Sequence, residues 1–267
     1  MEAVFEKTTF KKRLKSMLKV DFMRMFTMPL VYLMAGVSLA LPILILVMTT
    51  TMGGTVADPT TGVETVAETF TNVWQAIGST GSAENTAMSM DLTAMCNINM
   101  LYFLVAVFAC IFVSDDFKSG YVKNLFTVRS DKADYVISKT LATFVGAAIM
   151  FVMYFVGAII GGKIAGLSFE MDGFGLSNLV ACMLSKIFVV AIFVAIALLL
   201  GVAAKQRLWL SILGSFAGGM LLFTMIPMIT PLNSGAVNVV MCFAGGALFC
   251  TGLGAISNIV LNKTSII

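Results

Sequence analysis

The chain has 267 residues, of which 59% are hydrophobic and only 12% charged, with a formal net charge of +3 and no histidine. A soluble globular domain carries roughly 25% charged residues, and a mean hydropathy of +0.97 means more apolar surface than one core hides from water. These numbers argue against a soluble domain, and the absent histidine removes the commonest general base and metal ligand.

In hydrocarbon every backbone N–H and C=O must be paired within the protein, which leaves helices or closed barrels. Barrel strands alternate in hydrophobicity over roughly 10 residues. Here the apolar runs are continuous and about 20 residues long, so the pattern predicts an all-α membrane protein.

Residues 1–28 predict an amphipathic helix lying on the inner membrane surface. Phe10, Leu14, Met17, Leu18, Phe22 and Met25 recur at helical spacing, whereas Lys11, Lys12, Lys15 and Lys19 point elsewhere. A basic amphipathic helix lies in the interface, drawn by anionic lipid. It reads equally as a positive-inside anchor and as an elbow helix that meets a partner. Residues 29–267 predict a six-span domain. The expected spans are Leu30–Met52, Leu92–Val113, Val136–Ile160, Ile187–Ala204, Leu208–Ile226 and Ala236–Leu261, each crossing about 30 Å of hydrocarbon.

The first outer loop, residues 53–91, holds Asp58, Glu64, Glu68, Glu84 and Asp91 and neither Lys nor Arg. Within it Val63, Val66, Ala67, Phe70, Val73, Trp74 and Ile77 predict a short external helix. Thr61 and Glu64 have capping-box spacing, and Gly78 would end it. Trp74 suits the lipid–water boundary. Lys186 limits the fourth span, because a lysine at the bilayer centre costs about 2.5–3.5 kcal/mol. It is expected at the outer border, where it can snorkel to water. Gly157 and Gly161, and Gly214 and Gly218, have GxxxG spacing, and Gly245, Gly246, Gly252 and Gly254 enrich the last span in small residues. Close helix packing in lipid explains them. Pro227 and Pro231 flank an uncharged outer turn that can dip into the membrane under protein cover.

Two patterns point away from chemistry. Gly157 to Ile164 nearly matches a phosphate-binding loop, but Ile164 replaces the hydroxyl that holds magnesium, and a helix precedes it where a strand is needed. Cys96, Cys110, Cys182, Cys242 and Cys250 fall in or beside apolar runs without a CxxC pair, and read as small buried hydrophobes. No catalytic constellation and no metal site is expected.

With six spans, Lys7 to Arg24, Lys118, Lys123, Arg129, Lys132, Lys205, Arg207 and Lys263 all share one side. The positive-inside rule then places both termini in the cytoplasm. The connection 114–134, from Ser114-Asp115-Asp116-Phe117-Lys118-Ser119-Gly120-Tyr121-Val122-Lys123-Asn124-Leu125 onward, lies on that side too. Its acidic Asp116 four residues before Gly120 resembles the first cytoplasmic loop of ABC-2 type transporter permeases. Arg129, Tyr135 and Lys139 resemble the basic and aromatic positions that follow. The order of parts is similar over nearly the whole chain: basic amphipathic N-terminus, long first outer loop, coupling loop, six spans and no ATPase.

The resemblance implies a type V exporter-like permease, not itself an enzyme, in a bacterial cell membrane. Two permease chains, identical or different, would pair above separate ABC ATPase subunits that hold the ATP and magnesium. The loop Phe117–Leu125, turning at Gly120, would sit in a cleft on the ATPase, with Phe117 and Tyr121 as apolar anchors and Asp115, Asp116, Lys118 and Lys123 setting the docking register. Closure of the ATPase pair would shift the bundle between inward and outward access, which requires differential binding of the two states. The implied substrate is amphipathic: a peptide, drug or lipid, not a nucleic acid. Two other classes stand beside this one. The first is a transporter driven by an ion gradient, against which the spans lack the acidic residues that couple protons. The second is a non-transporting immunity or sensor protein.

Overall fold

The computed structural model describes residues 9–52, 55–57, 64–66, 70–78, 97–128, 132–171, 173–205 and 207–263. Helix α1 (Phe10–Thr27) ends at Met28, whose backbone is extended, and Pro29 starts α2 (Pro29–Met52). Proline suits a first helical turn, where its missing N–H has no partner to lose. Strands β1 (Thr55–Ala57) and β2 (Glu64–Val66) pair antiparallel, and Val73–Ala76 forms a 3-10 turn. A second 3-10 turn, Ile98–Met100, leads into α3 (Leu101–Lys118). Then follow α4 (Tyr121–Val128), α5 (Lys132–Ala165), α6 (Leu176–Ala204), α7 (Leu208–Phe223), α8 (Ile226–Ile229) and α9 (Ala236–Lys263).

Among the described residues, five segments are long and apolar enough to cross a membrane: α2, α3 with its leading turn, α5, α6 and α9. The apolar α7 has 16 residues, about 24 Å of helix. Helix α3 is central. Its Tyr102, Phe108 and Phe112 join Phe151 and Tyr154 of α5 and Phe193 of α6 in one continuous buried cluster. By contrast, α9 buries little of itself and turns Val237, Met241 and Leu248 outward. Such a helix matches a lipid solvent.

Several expectations are corrected. The fourth membrane helix begins at Leu176, not Ile187, so Lys186 sits inside it and is fully buried. Hydrogen bonds from its ammonium to Asn99 Oδ1 (3.0 Å) and Thr230 Oγ1 (2.9 Å) replace the water that border placement would have supplied. In the outer loop, the described residues of the expected helix form β2 and the 3-10 turn. The turn is capped by Asn72 and Gln75: Trp74 N–H donates to Asn72 Oδ1, and Asn72 N–H to Gln75 Oε1. Thr61 lies outside the described residues. Trp74 is buried, donates its Nε1–H to the Phe169 carbonyl at 3.1 Å and stacks on Phe155. The loop thereby clasps the α5–α6 connection.

The GxxxG pair on α5 packs backbone to backbone. A Cβ on Gly157 would lie 2.2 Å from the Leu39 carbonyl oxygen of α2, and one on Gly161 2.8 Å from Ile43 Cα. The segment resembling a phosphate loop is helical throughout, within α5. Gly246 fits against the Phe188 carbonyl, whereas Gly245 and Gly252 face open space. Cys110, Cys182 and Cys242 are free and buried, Cys250 is half-buried, and Cys96 lies outside the described residues.

Candidate functional site

At the Lys- and Arg-rich end of the bundle, four helices meet around a buried ionic network. Helix α1 buries Met17, Asp21 and Met25, spaced one helical turn apart, against α5. Asp21 therefore sits inside an apolar stripe. The last turn of α3 brings in Asp116, fully buried, and the first turns of α5 supply Tyr135, Ser138 and Lys139, also buried.

Lys139 Nζ lies 2.6 Å from Asp116 Oδ2 and 3.2 Å from Asp21 Oδ1. Arg24 donates from Nη1 to Asp116 Oδ1 at 2.6 Å, and its Nη2 lies 3.6 Å from the half-exposed Asp115. The Tyr135 hydroxyl donates to Asp116 Oδ2 at 2.9 Å, and the Ser138 hydroxyl donates to Asp21. Aromatic faces complete the cage: Lys139 Nζ is 3.6 Å from the Phe112 ring centroid, and the Arg24 guanidinium is 4.1 Å from that of Tyr121. Two buried carboxylates thus face two cations. Buried charge is tolerable only when paired and hydrogen-bonded in this way, and removing one partner leaves the other stranded. What the network does is mechanical: α1, α3 and α5 share one set of charge-assisted bonds, so none shifts alone without breaking some.

Beyond Asp116 the chain reverses. Gly120 adopts φ +71°, a left-handed conformation that strains a side-chain-bearing residue by roughly 1–2 kcal/mol. Asn124 N–H then donates to the Gly120 carbonyl as α4 begins. Phe117, Tyr121 and Leu125 are half-buried against Val113, Val122, Tyr135 and Leu198. Burial raises the Tyr121 phenol pKa, and the nearby charges of Asp21 and Asp116 raise it further, so it stays neutral beneath the guanidinium. Lys118, Ser119, Lys123 and Asn124 remain exposed on the tip.

The structure redistributes the expected loop residues. Asp116, expected in the docking register, is fully buried and bound by Arg24, Lys139 and Tyr135. Phe117 and Tyr121, expected as anchors, are half-buried against the bundle, as is Leu125. Lys118 and Lys123 are exposed, and Asp115 is shared between solvent and Arg24. On α1, Met17 is buried, Leu14, Leu18 and Phe22 are half-buried, and Phe10 is exposed. Asp21 and Arg24 were not foreseen as site residues. The available signal was an aspartate four residues from both Met17 and Met25, on the apolar face of an amphipathic helix. Arg129 lies outside the described residues, whereas Tyr135 and Lys139 enter the network directly.

A family model described as ABC-2 family transporter protein matches residues 17–221, which include every member of this network. The chain belongs to the ABC-2 transporter family. Neither the curated proteins nor the solved structures searched give a match. As an ABC-2 permease it is a multi-pass membrane component of transport, not a catalytic subunit, and permeases of this family generally work with an ABC ATPase partner. The matched segment of this ABC-2 permease contains Lys186 but stops before α8 and α9.

Proposed function

We propose that this ABC-2 permease is the membrane subunit of an ATP-driven exporter of amphipathic substrates. In this reading it crosses the cell membrane six times, with α7 as the fifth span, and keeps both termini on the ATPase side. α1 lies along that surface as the elbow helix. A second permease chain completes the pathway, and a separate ATPase subunit docks beneath the α3–α4 turn.

One observation carries this reading. The turn from Lys118 to Lys123, with Lys118, Ser119 and Lys123 exposed, stands on Asp116, and Asp116 is bonded to α1 through Arg24 and to α5 through Lys139 and Tyr135. A partner that pulls on the tip therefore loads three helices through one carboxylate. A joint that passes load between helices in this way is what a two-state transport cycle requires. The Lys118 and Lys123 side chains supply the charge that an ATPase surface would read.

The chain is purified from its native membranes and the accompanying polypeptides are identified by mass spectrometry. An ABC ATPase is expected among them. Lys118→Glu combined with Lys123→Glu should release most of that ATPase while leaving the permease folded, and Gly120→Pro should uncouple hydrolysis by distorting the left-handed turn. Undiminished docking and hydrolysis in both variants would remove the coupling role. Orientation is tested separately. Ser119→Cys should react with a membrane-impermeant maleimide only in inverted vesicles, and reaction in intact cells would reverse the topology.

A further inference from the structure

A second lysine is as deeply buried as Lys139 and takes no part in the ionic network. Lys186 lies ten residues into α6, about 15 Å from the helix start. It is completely shielded, and its Nζ donates to Asn99 Oδ1 at 3.0 Å and to Thr230 Oγ1 at 2.9 Å. The Tyr102 hydroxyl fixes the same turn of helix by donating to the Lys186 carbonyl at 3.1 Å. An ammonium has three N–H donors, and both side-chain partners here are neutral. Among the described residues no Asp or Glu forms an ion pair with it. An uncompensated charge inside a membrane bundle marks a place where a charged ligand travels or binds.

The cover over this ammonium is one short turn, although its Ile226 and Thr230 are buried. Thr230 ends α8, a single helical turn that contains Pro227 and is followed by Pro231, and its N–H and hydroxyl both donate to the Ile226 carbonyl. Met225, Met228 and Ile229 beside it are about half exposed. Swinging this short turn aside would break the Thr230 bond to Lys186 and the Cys182 Sγ bond to the Thr230 carbonyl and lift Ile226 from the core, uncovering the ammonium without unwinding any long helix.

We propose that Lys186 is the recognition site for an anionic group, a carboxylate or phosphate, on an amphiphile that displaces Thr230. This names a charge class for the exported substrate and rests on the export reading. The same anion chemistry can come from a free amphiphile or from a phospholipid headgroup, and the two are separable.

The test uses the purified permease, with any subunits that accompany it, in phosphatidylcholine nanodiscs. Dodecanoate, dodecyl phosphate and dodecanol are titrated in turn. The two anions should bind saturably and the alcohol should not. Lys186→Met should abolish anion binding, and Lys186→Arg should retain it. Thr230→Val, which removes the competing hydroxyl, should tighten anion binding several-fold, an outcome that a purely structural lysine would not produce. In phosphatidylglycerol nanodiscs, loss of dodecanoate binding together with one phosphatidylglycerol retained per chain in native mass spectrometry would identify the headgroup as occupant. Equal binding of alcohol and anion, or anion binding unchanged in Lys186→Met, would overturn the site. If Lys186→Met does not fold, an unchanged affinity in Thr230→Val overturns it. These measurements need no ATP, so their outcome is independent of whether an ATPase docks.

Discussion

Lys139 and Lys186 are both completely buried, on successive membrane helices, yet their surroundings are opposite. Lys139 faces two carboxylates, with the Phe112 ring 3.6 Å away. Lys186 faces an amide oxygen and a hydroxyl. Asn99 and Asp116, their respective partners around α3, are separated by 17 positions, about 25 Å along a helix axis. The difference teaches how to read a buried cation. Where the charge is matched inside the protein, the group holds helices together. Where it is met only by dipoles, the charge remains available to something that arrives.

The comparison can be broken by stability measurements on the folded permease in detergent. Lys139→Met strands Asp21 and Asp116 without a shared cation, and is expected to cost about 3–5 kcal/mol. Denaturant unfolding should show the loss directly. Lys186→Met is expected to change stability by no more than about 1 kcal/mol, because relief of burying an ammonium offsets the lost hydrogen bonds to Asn99 and Thr230. Equal losses at the two positions would mean that Lys186 is structural like Lys139 and would dissolve the distinction.

The apolar runs that became α2, α5, α6 and α9 were legible because the lipid requirement is one of length and composition, both local to the sequence. The turn at Gly120 was legible for a similar reason, since a lone glycine among charged residues marks a reversal. The ionic network was not. Arg24 and Asp116 are 92 positions apart, and Asp21 and Ser138 are 117 apart. No local pattern reveals which distant charge will neutralise which. Lys186 was misplaced by the same blindness. A penalty for lysine in lipid assumes no partner, and here Asn99 and Thr230 come from 87 positions before and 44 after. The outer loop misled differently. Val73, Trp74 and Ile77 do share an apolar face, but that face is satisfied by Phe155, Leu167 and Leu232, so a single 3-10 turn suffices where a longer helix was expected.

The contact of Gly157 and Gly161 with Leu39 and Ile43 joins α2 and α5 without intervening side chains. Two helices fused along their backbones act as one beam, and α5 has 34 residues, a length of about 51 Å. Tilting such a beam by about 5° carries its far tip through about 4 Å. At that tip Gly162 abuts Val73. An angular step imposed at Lys139 would thus emerge as displacement of the Val73–Ala76 turn at the far end, amplified by leverage alone.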